Sequence, residues 1–272
     1  MKSFKQNRVA SFVIITVIYI LVAIVGIAVF RMLTFEWWLN LLIADIAATL
    51  LTFVFSVILG NASVYDPYWS VQPIVILVAF AIGKKLTVVR VLLLAAVILW
   101  GVRLTGNWIY TFTDLTHQDW RYTMLKEKTG VFYQFINFTG IHMVPTLIVY
   151  ACTLPAVYAF LHEVAWNAGS ILFFGVSVGA TTMQSIADYQ MHRFRKQRSG
   201  AFIRDGLWKH SRHPNYLGEI LMWWGVAFSV ISVFPNVWYL GIGALANTVL
   251  FLVVSIPLAD RWQSCKPKFE EY

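Results

Sequence analysis

The chain has 272 residues, of which 59% are hydrophobic and only 12% charged. That polar fraction is too small to coat a soluble globule of this length, so the composition excludes a water-soluble fold and implies an integral membrane protein. A formal charge of +8 suits anionic membrane lipids or an anionic ligand, and the lack of a soluble basic domain argues against nucleic acid as a partner.

Apolar runs recur along almost the whole length, at 10–31, 37–60, 68–83, 86–112, 136–161, 166–191, 215–233 and 236–257. Most have the length a helix needs to cross about 30 Å of hydrocarbon. They are continuously apolar rather than alternating, which selects helices over a closed barrel. The expected fold class is therefore all-α, a polytopic membrane helical bundle of about 7–8 transmembrane helices. It is read as a single integral membrane domain over 1–272. The first run follows Lys2, Lys5 and Arg8 but exceeds a signal peptide's apolar region and lacks a small-residue cleavage site, so it reads as a span.

Lysine and arginine concentrate in alternate connections: before residue 10, at Arg121, Lys126 and Lys128, from Arg193 to Arg212, and after Arg261. The positive-inside rule then places both termini in the cytoplasm, with Arg31, Lys84, Lys85 and Arg90 as exceptions. The polar stretch 113–135 contains Asp119, Trp120, Arg121 and Tyr122 and reads as an interfacial anchor.

Ionisable groups inside apolar runs need a reason, because each costs at least ~2.5 kcal/mol to insert. Gln184, Asp188, His192 and Arg195 follow at spacings of four, four and three, which stacks them on one helix face. Asn215 and Glu219, four apart, open the next run behind Pro214, a favoured first helical residue. Two polar stripes on sequential helices can converge, as a ligand site or as an interhelical clamp. Arg193, Arg195, Arg198, Arg204, Lys209 and Arg212 outnumber the local acids, and surplus guanidinium groups suit phosphates. Gly175 and Gly179 have the small-xxx-small spacing of helix packing. Cys152 and Cys265 are too few for a disulfide framework, and His192, His210 and His213 lack the partner set of a metal site.

The segment SRHPNYLGEILMWWG, with ADYQMHRFRK before it and DRWQSCKPKFEEY after it, resembles the C-terminal signature of the steroid 5-alpha-reductase family and its bacterial membrane relatives. The resemblance implies a reductase of a bacterial cytoplasmic membrane that takes NADPH from the cytosolic side and reduces an activated carbon–carbon double bond in a lipophilic substrate, with a substrate-side half at 10–130 and an NADPH-binding half at 166–272. The cofactor set it implies is Gln184, Asp188, His192, Arg195, Arg204, Arg212, His213, Asn215, Tyr216, Glu219 and Arg261, with Gln184 where the family usually has asparagine.

On the substrate side, DPYWSVQP begins with Asp66, where the steroid enzymes have a carbonyl-binding glutamate. WGVR, ending in Arg103, stands where they have a tyrosine and an arginine, and Trp100 has no phenolic proton. The implied acid is Asp66, with Tyr65, Tyr68 or Tyr110 as substitutes; Asp66 is equally placed to cap a helix beginning at Pro67. RHPNYLG also resembles membrane methyltransferases that use S-adenosylmethionine, although their acidic pair is only half matched by Ala259 and Asp260. A non-enzymatic lipid-binding protein is the third reading. Composition does not fix an oligomeric state.

Overall fold

A computed structural model describes residues 2–197 and 202–266; Arg198 and the end of the tail motif, 267–272, lie outside the described residues. The described chain is helical, and six of its helical stretches are long and apolar enough to cross a membrane. The main helices are α1 (Arg8–Met32), α2 (Trp37–Leu59), α3 (Tyr68–Ala81), α4 (Val88–Thr111), α5 (Trp120–Thr129), α6 (Val144–Leu161), α7 (Ala168–Gln197), α8 (Pro214–Ile231), α9 (Ile242–Leu250) and α10 (Ile256–Gln263).

Two of the eight expected spans fall outside those six. Helix α3 has 14 residues, about 21 Å at 1.5 Å per residue, by itself shorter than the hydrocarbon layer is thick. Helix α8 has 18 residues, but Asn215 and Glu219 in its first turns lower its apolarity. The stretch 113–135 is not merely a loop: α5 fills its centre, with Asp119 accepting the Arg121 backbone N–H at 2.9 Å as the N-cap. Two segments depart from α-geometry. A π-helix, Asn137–Met143, leads into α6, and another, Phe251–Ser255, joins α9 to α10.

Contacts divide the chain into two compact units, Met1–Val75 with Leu104–Tyr150, and Ile76–Arg103 with Ala151–Tyr272. The interleaving takes 76–103 out of the N-terminal half and joins it to the C-terminal one.

In the first unit, Ile15, Ile18 and Val22 of α1 pack into one cluster with Ala48 of α2, while Val13, Val17, Ile20 and Ile24 of α1 stay exposed. An apolar exposed face suits lipid. Gly60 ends α2 with φ 64°, and its N–H returns to Ser56 and Val57. Asn61 then donates to the carbonyls of Leu115 and His117 at 2.8 and 3.0 Å, tying the turn after α2 to the turn after α4.

In the second unit, α7 and α8 lie side by side because α8 presents glycines. A Cβ on Gly218 would collide with Gln184 and stand 2.9 Å from the Ala180 carbonyl; one on Gly225 would collide with Ser177. Gly175 and Gly179, the expected packing pair, have nothing within 4 Å. Arg90, an exception to the charge rule, is buried and donates to the carbonyls of Lys85, Ala159 and His162 at 2.7 to 2.9 Å. It thereby satisfies chain carbonyls at the end of α6.

Candidate functional site

Four-residue spacing brings Gln184 and Asp188 of α7 onto the face that meets α8, where Asn215 and Glu219 stand one turn apart. The Glu219 carboxylate is 4% exposed. It accepts from Trp100 Nε1 at 2.9 and 2.8 Å, from Trp223 Nε1 at 3.1 Å and from Gln184 Nε2 at 2.7 Å. Three N–H groups thus offset its desolvation. Gln184 Nε2 also reaches the Asn215 carbonyl at 3.2 Å. One turn further along α4, Arg103 approaches Asp188 with Nη1 and Oδ2 3.5 Å apart.

The cluster is only partly satisfied. Arg103 Nε and Nη1, Gln184 Oε1, Asp188 Oδ2 and Asn215 Oδ1 are all buried and have no hydrogen-bond partner among the described residues. The Arg103–Asp188 approach is an ion-pair distance, too long and poorly aligned for a hydrogen bond. Buried polar atoms are otherwise almost always paired, and each left open costs about 1–3 kcal/mol. Two cationic donors and three acceptors side by side suit a ligand that carries both anionic oxygens and N–H or O–H groups.

A second cluster lies where the chain enters α8. His213 Nε2 is 2.7 Å from Asp260 Oδ1, and Arg212 Nη1 is 3.2 Å from Asp260 Oδ2. The Tyr216 ring stacks on His213 at 5.1 Å and meets Phe251 at 5.0 Å. These contacts pin the RHPNY turn to the last helix. The segment before it folds back on α7, with Trp208 donating to the Ala187 carbonyl at 3.1 Å and Leu207 N–H to Gln190 at 3.0 Å.

Other expected cofactor residues sit farther out. His192 and Arg195 lie on α7 beyond Asp188, within electrostatic reach of it; Arg195 is exposed. Arg204 is exposed with its guanidinium 4.8 Å from the Phe202 ring, and Arg261 is exposed on α10. Most of the surplus cations therefore face outward, and the arginine in the buried cluster is Arg103, expected among the catalytic residues.

The remaining substrate-side residues belong to the first unit. Asp66 is half-buried in the turn between α2 and α3, outside the spans, and accepts from Tyr122 Oη at 2.6 Å. Burial, opposed by the Tyr122 hydrogen bond and the nearby Arg121 charge, pushes its carboxyl up to about 7. Tyr65 pairs with Thr146 Oγ1 at 2.8 Å, and Tyr68 donates to Asp45 at 2.7 Å. Tyr110 is 53% exposed.

Sequence reasoning missed Trp100 as a donor to Glu219, because it asked only whether Trp100 replaced a phenol. It also passed over Asp45, although a lone acid inside 37–60 is the signal that marked Asp188 and Glu219.

The family model described as "Protein of unknown function (DUF1295)" matches residues 52–272. No curated protein and no solved structure matches the chain.

Proposed function

The chain belongs to the DUF1295 family, and for this member we propose an NADPH-dependent reductase of an activated carbon–carbon double bond in a lipophilic, steroid-like or isoprenoid-like substrate. The observation that carries the reading is the set of open buried atoms on Arg103, Gln184, Asp188 and Asn215. Arg103 offers two N–H donors to phosphate oxygens, and its planar fork favours that partner. The oxygens of Gln184, Asn215 and Asp188 accept from a carboxamide or from ribose hydroxyls. Trp100 and Trp223 hold Glu219, and Glu219 in turn holds the Gln184 amide so that its oxygen is the free end.

Reduction of such a bond consumes a hydride and a proton. The dinucleotide would supply the hydride when bound. Among the substrate-side residues that the resemblance implies, Asp66 has a carboxyl pushed up to about 7, which suits a proton donor to a carbonyl oxygen that gains charge. Exposed Arg193, Arg195, Arg204 and Lys209 attract the anionic dinucleotide from the cytosol. Both termini are assigned to the cytoplasm of a bacterium.

Titration of the purified protein with NADPH, followed by nicotinamide fluorescence, tests the assignment. Saturable binding is expected, weakened in Arg103→Leu by roughly tenfold to a hundredfold, equivalent to the ~1.5–3 kcal/mol of a charged hydrogen bond. Arg195→Ala should bind within about threefold of the parent, as an exposed, screened charge does. Preferential retention of S-adenosylmethionine, or NADPH binding indifferent to Arg103→Leu, overturns the assignment.

A further inference from the structure

The first unit holds a second incomplete polar cluster. Asp45, midway along α2, is 5% exposed and makes no ion pair with any described residue. Its carboxylate accepts from Tyr68 Oη and Gln72 Nε2, both at 2.7 Å and both from α3. The Tyr65 ring stacks on Tyr68 at 5.3 Å and lies 4.5 Å from the ring of His142. Tyr65 Oη and Thr49 Oγ1 both meet Thr146 Oγ1, at 2.8 and 3.0 Å. These contacts link α2, α3 and the start of α6.

Among the described residues, Gln72 Oε1 and His142 Nε2, on residues 7% and 0% exposed, have no hydrogen-bond partner. Their chemical sense is fixed. An amide oxygen only accepts. His142 Nδ1 lies 3.0 Å from the Asn137 carbonyl oxygen, which also only accepts, so Nδ1 carries the hydrogen and Nε2 of the neutral ring is an acceptor. That bond runs across the π-helix Asn137–Met143, a distortion that recurs at functional sites. Asp45 already has a donor on each oxygen, so what stays open is neutral and accepting. A ketone or ether oxygen satisfies neither atom, and an ammonium group would add a charge that must be desolvated.

We propose that the Gln72–His142 cluster binds the hydroxyl group of a long-chain or polycyclic alcohol, donating its O–H to one of these acceptors. Phe53, with its ring 5.4 Å from His142 and 5.0 Å from Phe138, supplies apolar surface beside the cluster. Binding here is independent of the dinucleotide reading, because every group involved lies in the first unit.

The test uses the full chain in lipid nanodiscs with tritiated dodecan-1-ol, displaced by unlabelled dodecan-1-ol, its methyl ether or dodecanal. The ether and the aldehyde, which lack the O–H, should displace roughly tenfold more weakly than the alcohol, the worth of one hydrogen bond to a buried acceptor. Gln72→Leu or His142→Phe, whichever removes the acceptor that the O–H uses, should shrink that preference toward unity. Equal displacement by all three compounds in the parent, no saturable binding, or a preference unchanged in both variants overturns the assignment. Should neither variant fold, the parent's ligand series decides alone.

Discussion

Glu219 and Asp66 are two enclosed carboxyl groups handled in different ways. Glu219 has three N–H donors and is a fixed acceptor that orients Gln184, whereas Asp66 has one phenolic donor and a carboxyl pushed up to about 7. The second case gives a pH prediction. A carboxyl raised on folding binds more protons in the native state, so its contribution is fully present below the unfolded value of about 4 and is lost as pH rises through about 7. Asp66→Asn removes that dependence. Thermal denaturation of parent and variant should show the parent losing stability relative to the variant between about pH 4 and 7; a constant difference would mean that Asp66 ionises normally. The spacing of Gln184, Asp188, Asn215 and Glu219 was legible in the sequence because period and helical face are local properties. Arg103 and Trp100 were not, since they reach the same place from α4, more than 80 residues earlier, and nothing local encodes which helix packs there.

Between helices, the small residues that matter are those a neighbour covers, and sequence spacing alone does not say which these are. Gly175 and Gly179 on α7 match the packing pattern and meet nothing within 4 Å; Gly218 and Gly225 on α8, seven apart, are the ones pressed against α7. Two substitutions should therefore differ in sign. Gly225→Ala forces its methyl into Ser177 and to within 2.8 Å of the Phe173 carbonyl, and should cost about 1–3 kcal/mol as overpacking does. Gly175→Ala has open space around it and should gain about 0.5–1 kcal/mol from helix propensity. Denaturation midpoints in detergent check the pair, and a Gly225→Ala protein as stable as the parent would show that α7 and α8 do not lie this close. The π-helices were also illegible, because Asn137–Met143 and Phe251–Ser255 sit inside runs that read as continuous helix.

For the whole molecule, apolar runs and charge placement alone gave the all-α membrane fold and a sidedness, and contacts within the first unit bear on the latter. Ser11 near the start of α1 accepts from Leu115 N–H at 3.1 Å, and Asn61 after α2 donates to the Leu115 and His117 carbonyls. The start of α1, the end of α2 and the end of α4 therefore meet at one side. That is the side to which the sequence assigns Lys5, Arg8 and Arg121, while Lys84 and Lys85 fall in the turn between α3 and α4, assigned to the opposite side. In the second unit Asp260 holds Arg212 and His213, so the basic segment before α8 and the last helix end together. On the proposed orientation, with the basic side cytoplasmic, exposed Cys265, one of two free thiols, would face inward, and buried Cys152 does not interfere with labelling. A membrane-impermeant maleimide should leave Cys265 unmodified in intact cells and label it after permeabilisation. Lys84→Cys in a Cys265→Ser background should show the reverse, labelling from outside. Labelling of Cys265 in intact cells would invert the molecule and present Arg103, Gln184 and Asn215 to a compartment without NADPH, so this measurement bears on the reductase proposal as directly as on the topology.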